Sequence, residues 1–310
     1  MDKKERGVDA PLVSVVIATY RRPKELERAL ESVNQQIYKN FEVIVVDDNG
    51  ESDFQNMTDE VVQAISIDAP VKYIKHGVNK GYAAARNTGI KAASGEFVAF
   101  LDDDDEWDPK KTTKQVGVLT QRSPDEGGFI YCRSTNLRND GTSYFIEPKG
   151  GESGWVSDQL LIKNFIGASS KVIFRKCSLE AVQGLDEGLP TRADHDLFIR
   201  VAKQYPLLLV DEPLVSFMIE GDRITKNIEK KIAGWARFYK KWENEINKDK
   251  KIKKAVLTQM HFELSKLFYI SREWVLSRRH AVELIRNNSF FWKGYALLLL
   301  SVTKVRVPLQ

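Results

Sequence analysis

The chain contains few cysteines and lacks any long apolar run. Only two of its 310 residues are cysteine, Cys132 and Cys177, and their spacing matches no metal-binding pattern. These absences exclude a disulfide framework and a cysteine zinc site, and they favour a reducing, cytoplasmic compartment. No apolar stretch approaches the roughly 20 residues that a membrane-spanning helix requires. The charged residues 1–12 lead into no long apolar stretch, so we expect no secretory signal.

Signatures of several enzyme classes are also missing. The sequence has no GxSxG elbow and no Cys–His pairing that favours catalysis, so covalent serine or cysteine chemistry has no support. The phosphate-binding pattern GxxxxGK[ST] is absent as well. The four histidines show no metal-ligand spacing, and we interpret them as surface or packing residues. The composition of the whole chain, with 42% hydrophobic and 29% charged residues, is that of an ordinary globular protein.

The small net charge of +4 hides a division of the chain into an acidic and a basic part. Residues 1–220 carry a net charge of −8, whereas residues 221–310, with 20 Lys or Arg and 8 Asp or Glu, carry +12. We therefore predict two domains, 1–220 and 221–310. The basic domain fits either an anionic partner, such as a membrane surface, or solvated lysine-rich helix faces. It has no recognisable nucleic-acid-binding module, which argues against a nucleic-acid partner.

Short β-branched runs alternate with helical patterns in the first 220 residues. We predict strands over residues 13–18, 41–46, 71–74, 97–101, 171–174 and 207–210, a helix over about 81–93 and a loop over about 134–152. This alternation predicts an α/β fold with a mainly parallel sheet. After Gly221 the strand signals stop, and apolar residues at helical spacing predict three or more amphipathic helices.

Polar residues directly follow three of the predicted strands. Thr19–Arg21 follow the first strand, Asp47 and Asp48 the second, and Asp102–Asp105 the fourth. Because ligands bind at the carboxyl ends of parallel strands, we expect these residues to converge on one site. Oxygen-only clusters suit hard cations such as Mg²⁺ or Mn²⁺, although an acidic turn that caps the next helix has the same composition.

Two further segments each admit a functional and a structural interpretation. Residues 79–87 surround Arg86 with glycine and alanine, which would let the backbone approach a ligand while Arg86 binds a phosphate or a base carbonyl. A tightly packed helix with a surface arginine is the alternative. Asp194 precedes an apolar helical run, so its carboxylate either stabilises the helix N-terminus or acts as a general base.

Five motifs in this order resemble glycosyltransferase family 2 enzymes of the GT-A fold. They are VSVVIATYRRP, VIVVDDNG, NKGYAAARNTGI, GEFVAFLDDDDEWDP and RADHDLFIR, and the resemblance covers about Val13 to Phe217. It implies a Rossmann-like, mixed but mainly parallel sheet flanked by helices, with a C-terminal helical extension. It also implies inverting transfer of a hexosyl or N-acetylhexosaminyl group from a nucleoside diphosphate, most often UDP, in cell-surface polysaccharide or glycoconjugate synthesis.

The resemblance assigns roles to individual residues. It implies that the nucleotide sugar contacts a set of residues at the strand ends and near Arg86: Thr19, Tyr20, Asp48, Gly81, Arg86, Asp102 and Asp103. Asp48 would hydrogen-bond the uracil ring, and Arg86 would position the nucleotide.

The same resemblance places the chemistry on carboxylates. Asp104, with Asp102, would bind a divalent cation, Mn²⁺ or Mg²⁺, while Asp102 or Asp103 reaches the ribose. Asp194 would remove the proton from the attacking acceptor hydroxyl.

Two positions depart from the family pattern. Ala193 replaces the glutamate that usually precedes the base, and Asp196 is a candidate to compensate for it. Ser216–Glu220 stand where many members have a histidine, and Glu220 is a candidate substitute in metal binding.

An aromatic and aliphatic stretch near the end of the chain, residues 290–300, contains Lys293 and is followed by Lys304 and Arg306. It suits a helix that lies in a membrane interface, which would place the protein peripherally on the cytoplasmic membrane face. Packing of this helix on the catalytic domain is the alternative. A lipid-linked acceptor would explain membrane contact and positive charge together. Two alternatives to the leading function stay open: a polyprenyl-phosphate sugar synthase and a non-catalytic nucleotide-sugar-binding protein.

Overall fold

The computed structural model describes residues 10–137, 142–218 and 228–305. The strands in these residues are β1 (Val13–Thr19), β2 (Phe41–Asp47), β3 (Val71–Lys75), β4 (Phe97–Asp102), β5 (Asp105–Trp107), β6 (Phe129–Leu137), β7 (Ser143–Ile146), β8 (Val172–Arg175) and β9 (Leu207–Met218). The α-helices are α1 (Pro23–Asn34), α2 (Asp53–Ala64), α3 (Tyr82–Ala92), α4 (Lys111–Thr120), α5 (Ser157–Ile162), α6 (Lys176–Ala181), α7 (Ala193–Ala202), α8 (Ile228–Lys248), α9 (Lys250–Ile270), α10 (Trp274–Asn287) and α11 (Trp292–Thr303).

The strands form one mixed sheet in the order β3-β2-β1-β4-β8-β6-β9-β5, with β7 paired to β6. β1, β2, β3 and β4 are parallel to one another, and β6 is parallel to β9, whereas β8 and β5 run antiparallel to their neighbours. The predicted α/β class with a mainly parallel sheet is confirmed.

The strands that carry the candidate site are buried on both faces. β1, β2 and β4 consist largely of Val, Ile, Phe and Leu, and nearly all of their side chains are inaccessible to solvent. Such continuous apolar runs are typical of parallel strands that helices cover on both sides. The resulting core joins β-strand residues such as Val15 and Val43 to Leu26 and Leu30 of α1. This core holds together the strands whose carboxyl ends carry the candidate site.

Register brings the three strand ends side by side. In the β1–β2 pair Thr19 lies opposite Asp47, and in the β1–β4 pair Ala18 lies opposite Asp102. The polar residues that follow the strands therefore leave the sheet at one edge, as the sequence predicts.

The predicted loop over 134–152 is wrong in two places. β6 extends to Leu137, and β7 occupies Ser143–Ile146, despite the polar composition of this stretch. β6 pairs with β7 and with a β9 that is far longer than the four predicted residues. These long-range pairings supply the backbone hydrogen bonds that local composition could not reveal. The register of β6 on β9 shifts near Pro213, where a bulge accommodates the missing amide hydrogen.

The chain forms two compact units. The first comprises Met1–Val156, Ile166–Glu187 and Arg200–Gly221, and it contains the sheet. The second comprises Ser157–Phe165, Gly188–Ile199 and Asp222–Gln310, and it is helical. The predicted boundary at Gly221 lies outside the described residues. The helical unit thus also contains the segment around Asp194.

The helical unit packs α8, α9, α10 and α11 against one another through apolar side chains. The prediction of three or more helices is confirmed. In residues 10–137, 142–218 and 228–305, none of the helices has both the length and the apolarity needed to cross a membrane.

Candidate active site

Arg22 and Asp103 form the centre of the acidic cluster. Arg22 follows β1 and precedes α1, and its Nη1 donates to Asp103 Oδ1 at 3.1 Å and to Asp104 Oδ2 at 2.6 Å. Thr19 Oγ1 donates to the other Asp103 oxygen at 2.9 Å. The sequence interpretation gave Arg22 no role, although its position directly after the β1 end was a usable signal.

Asp103 is almost fully buried, with 5% of its surface exposed. Burial and the neighbouring Asp104 raise its pKa, the Arg22 charge and the Thr19 hydroxyl oppose that rise, and the net result is a pKa of about 6. A carboxylate with this environment is poorly solvated and gains most from additional positive charge. The cluster is therefore suited to accept a cation.

Asp102 makes its ion pair with Arg86 of α3 rather than with Arg22. Arg86 Nη2 donates to Asp102 Oδ1, and the guanidinium lies 5.5 Å from the Phe100 ring centroid and 5.3 Å from that of Tyr82. Arg86 is 5% exposed, so the interpretation of it as a surface arginine is wrong. The helix delivers Arg86 to the strand end because Gly81, with φ 89°, allows the turn that begins α3.

Asp48 is held by three donors. Lys80 N and Gly81 N each donate to its carboxylate at 2.8 Å, and His76 Nδ1 lies 2.7 Å from Oδ1. His76 Nε2 is in turn 3.0 Å from Thr88 Oγ1. The sequence interpretation of His76 as a mere surface or packing residue missed this contact. Its position directly after β3, at a fourth strand end, was the available signal.

Tyr20 leaves one side of the site open to solvent. Its side chain is 41% exposed, and the Arg21 guanidinium lies 5.0 Å from its ring centroid. Arg21 adopts a left-handed backbone with φ 58°, and its amide donates to Asn49 Oδ1 at 2.6 Å. This turn directs the Tyr20 ring away from the core, where it can stack on a planar ligand.

The second acidic segment lies in the helical unit. Asp194 is the second residue of α7 and is half-buried. Asp196 is fully buried, and its carboxylate accepts from Trp242 Nε1 at 3.0 Å and from Lys241 Nζ at 2.9 Å. Asp196 therefore ties α7 to α8, and its role as a substitute for the glutamate that Ala193 replaces stays a prediction. Glu220 lies outside the described residues.

His195 agrees with its interpretation as a packing residue. It stacks on Phe238 with 4.8 Å between ring centroids, and its Nε2 contacts the Leu160 carbonyl. Burial lowers its pKa to about 4.

The strand-end carboxylates can hold only part of a metal coordination sphere. Within the described parts of the chain, no group of three or more His, Cys, Asp or Glu side chains is placed to bind a metal ion. The donors present at the end of β4 are carboxylate oxygens, which suit Mg²⁺ or Mn²⁺. Mg²⁺ is commonly held by one or two carboxylates together with substrate phosphates. The carboxylates at the end of β4 thus fit a divalent cation whose remaining ligands are the oxygens of a bound diphosphate.

Comparison with known proteins places these features in a family. The family "Glycosyl transferase family 2" matches residues 14–178. The amylovoran biosynthesis glycosyltransferase AmsB of Erwinia amylovora is 30% identical over 66% of this chain and 68% of its own length. The GalNAc(5)-diNAcBac-PP-undecaprenol beta-1,3-glucosyltransferase of Campylobacter jejuni is 29% identical over 79% of each chain.

Solved structures share the fold. The crystal structure of S. aureus TarS 1–349 superposes with a TM-score of 0.62 at 18% identity, covering 94% of this chain and 87% of the TarS 1–349 chain. The mannosyltransferase PcManGT of Pyrobaculum calidifontis, solved with GDP-Man and Mn²⁺, gives a TM-score of 0.60 at 15% identity, covering 97% and 78%. The GT-A fold is confirmed. Because the family match spans more than half of the sequence and includes β1 to β8, this chain belongs to glycosyltransferase family 2.

Proposed function

We propose that the chain transfers a sugar, with inversion, from a nucleoside diphosphate to a hydroxyl of a glycan or lipid-linked acceptor. The observation that carries this proposal is the register of β1, β2 and β4, which gathers Thr19, Asp48 and Asp103 at one sheet edge. UDP-sugars are the first donors to test. The names of the relatives support an acceptor in polysaccharide or lipid-linked glycan synthesis.

Asp48 would recognise the base of the donor. A carboxylate has about four lone-pair sites, of which three already face His76, Lys80 and Gly81. The remaining capacity suits a ring N–H such as that of uracil. Thr19 and the exposed face of Tyr20 would line the nucleotide beside it, and Arg86 would keep Asp102 oriented towards the ribose.

Asp104 and Asp102 would hold a divalent cation, and Asp103 supports them. A bound cation supplies positive charge that offsets the charge on the departing diphosphate. In the protein itself Arg22 supplies positive charge to Asp103 and Asp104. Cation binding would therefore require Arg22 to give up its contact with Asp104. The released guanidinium would be free to pair with a phosphate.

Asp194 would act as the general base. A carboxylate at the start of a helix is stabilised in its ionised form, which is the form that accepts a proton. It would take the proton from the acceptor hydroxyl as that oxygen attacks the anomeric carbon and the bond to the diphosphate breaks.

α11 would bring the protein to the cytoplasmic face of a membrane. Its outward side chains include Trp292, Leu299 and Val302, with exposed fractions of 69%, 63% and 54%. Its buried side contains Gly294, Leu297 and Ser301. A helix that packs through one side and exposes large apolar residues on the other is suited to an apolar partner.

The test is a screen of nucleotide sugars. The full chain is incubated with UDP- and GDP-sugars and a lipid-linked glycan extract, with Mn²⁺, Mg²⁺ or EDTA, and nucleoside diphosphate release is measured. Cation-dependent release from one donor, increased by the extract, is expected. A chain that binds nucleotide sugars but releases no diphosphate from any of them would instead be a non-catalytic binding protein.

A further inference from the structure

A cationic cavity of about 310 Å³ lies within the helical unit. It is lined by Thr191, Arg192, Lys231, Trp235, Glu263, Leu264, Lys266, Leu267 and Ile270. Its volume reaches the lower end of the range of small-molecule sites, roughly 300–1,000 Å³. Three of the lining side chains are basic and one is acidic, so the wall carries an excess of two positive charges.

The wall at Arg192 is held in place by several contacts. Arg192 adopts a left-handed backbone with φ 69°, and its guanidinium lies 3.4 Å from the Trp235 ring centroid. Gly234 of α8 lets the neighbouring Thr191 lie close to this helix, because a Cβ at position 234 would be 1.8 Å from Thr191 Oγ1. A strained non-glycine residue fixed in this way often marks a functional site.

The single acidic residue of the cavity is already satisfied. Arg192 donates to Glu263 Oε2, and Gln259 Nε2 donates to Glu263 Oε1 at 2.8 Å. Burial lowers the pKa of Lys231 and of Lys266, because their charged forms are only partly hydrated there. An anion bound in the cavity would stabilise the charged forms of both lysines and so offset their lost hydration.

A second, apolar cavity of about 160 Å³ shares Lys266 with the first. Its other lining residues are Phe262, Trp292, Lys293, Ala296, Leu297 and Leu300. Lys266 and Lys293 are basic, and the remaining five lining residues are apolar. The shared lysine therefore joins a cationic cavity to an apolar one.

We propose that the two cavities together bind a phosphate or diphosphate that carries an apolar chain, the anchor of a lipid-linked acceptor. The phosphate contacts Arg192, Lys231 and Lys266, and the first part of the chain lies against Trp292 and Leu300. This inference rests on the proposed glycosyl transfer for its biological meaning. Arg192 lies two residues before Asp194 in the sequence, so an anchor held here would belong to the same unit as the proposed base.

The experiment measures binding to the full chain by calorimetry in EDTA, with no sugar donor present. The probes are farnesyl diphosphate, inorganic diphosphate and dihexanoyl phosphatidylglycerol as monomer. We expect farnesyl diphosphate to bind at least about tenfold more tightly than inorganic diphosphate, since part of its chain leaves water. Equal affinity for these two probes would overturn the proposal. Tighter binding of the phosphatidylglycerol would assign the site to a phospholipid and overturn the isoprenoid anchor.

Variants separate the two cavities. Lys266→Gln should weaken farnesyl diphosphate and inorganic diphosphate alike, by about tenfold, because a charge-assisted contact is lost. Ala296→Phe should weaken only farnesyl diphosphate, because the ring fills the apolar cavity. Lys253→Gln, an exposed lysine of α9 outside both cavities, is the matched control and should bind like the original chain. Unchanged binding by Lys266→Gln would overturn the proposal. Diphosphate release from the donor is measured separately, so failure of transfer and failure of anchor binding are distinguishable.

Discussion

Arg22 Nη1 lies 2.6 Å from Asp104 Oδ2, and the same nitrogen donates to Asp103. A guanidinium thus stands against the carboxylates that we propose for the divalent cation. At this distance its charge opposes the charge of an incoming cation, so Arg22 and the cation compete for Asp104.

The first prediction is that Arg22→Gln tightens Mn²⁺ binding in the absence of nucleotide, by about tenfold, because the competing charge is removed. Calorimetric titration with Mn²⁺ measures the change. Arg28→Gln, which removes the nearby ion pair of Arg28 with Glu106 at 3.5 Å, is the control. Equal Mn²⁺ affinity in the original chain and in Arg22→Gln would contradict the competition.

The second prediction concerns the base. Asp194→Asn should lower kcat at least about 100-fold while donor affinity stays unchanged, because a general base contributes roughly 10²–10⁴-fold. Steady-state diphosphate release and donor titration give the two quantities. Transfer that survives in Asp194→Asn would favour a phosphate acceptor, as in a polyprenyl-phosphate sugar synthase.

The third prediction separates Asp196 from Asp194. Asp196→Asn removes the ion pair of the buried Asp196 carboxylate with Lys241, so the free energy of unfolding should fall by about 1–3 kcal/mol. Chemical denaturation measures it. Transfer per folded molecule should remain close to that of the original chain. A large loss of kcat without loss of stability would show that Asp196 belongs to the catalytic machinery.

The fourth prediction concerns Lys111, which is fully buried 3.8 Å from the Trp107 ring centroid. Within the described residues its Nζ has no hydrogen-bond partner, and burial lowers its pKa from 10.5 to about 7. Between these values the unfolded chain binds more protons than the folded chain. The free energy of unfolding should therefore rise as the pH increases from about 7 towards 10.

Lys111→Met should remove that part of the pH dependence. At pH 6, where the buried amine of the original chain is charged, the variant should be more stable by about 1–3 kcal/mol. Denaturation at pH 6, 7.5 and 9 gives the comparison. Lys110→Met changes an exposed neighbour and should keep the original slope. A slope retained in Lys111→Met would refute the assignment to this residue.

The fifth prediction concerns α11. Replacing Leu299 and Val302 together by serine should weaken binding to anionic vesicles at least about tenfold, because each side chain loses its burial in the interface. Vesicle co-sedimentation measures binding. Ile232→Ser, at an exposed apolar position of α8, should not change it. If the original chain fails to sediment with vesicles at low salt, the membrane contact is wrong.

Much of the fold was accessible to sequence reasoning because of where burial is complete. β1, β2 and β4 are buried on both faces, so their apolar runs are unmistakable and their ends could be located to within a residue. β6 and β7 were missed because the stretch that contains the end of β6 and all of β7 is largely polar, and it forms strands only through the pairing of β6 with β9 and of β7 with β6. The local amino-acid composition does not indicate pairing with a strand that is distant in sequence.

In the candidate site, too, local sequence patterns could be recognised and contacts between distant residues could not. Asp48 and Asp103 could be predicted because each follows a buried strand. Arg22 and His76 could have been proposed from their positions at strand ends, but not their partners, because Arg22 meets Asp103 across 81 residues and His76 meets Asp48 across 28. Asp196 shows the same limit. Its neighbours in sequence suggested a catalytic role, and they did not reveal that its partners lie on a helix more than 40 residues away.

If Asp48 recognises the base as proposed, the three hydrogen bonds that orient its carboxylate bear on how the preference for one nucleotide sugar could change in this chain. A carboxylate that is already oriented loses no rotamer freedom when a nucleotide binds, but it also cannot turn to suit a different base. A change from one nucleotide to another would therefore begin in the segment from His76 to Gly81, whose backbone and imidazole set the carboxylate, and residue 48 itself could stay aspartate throughout.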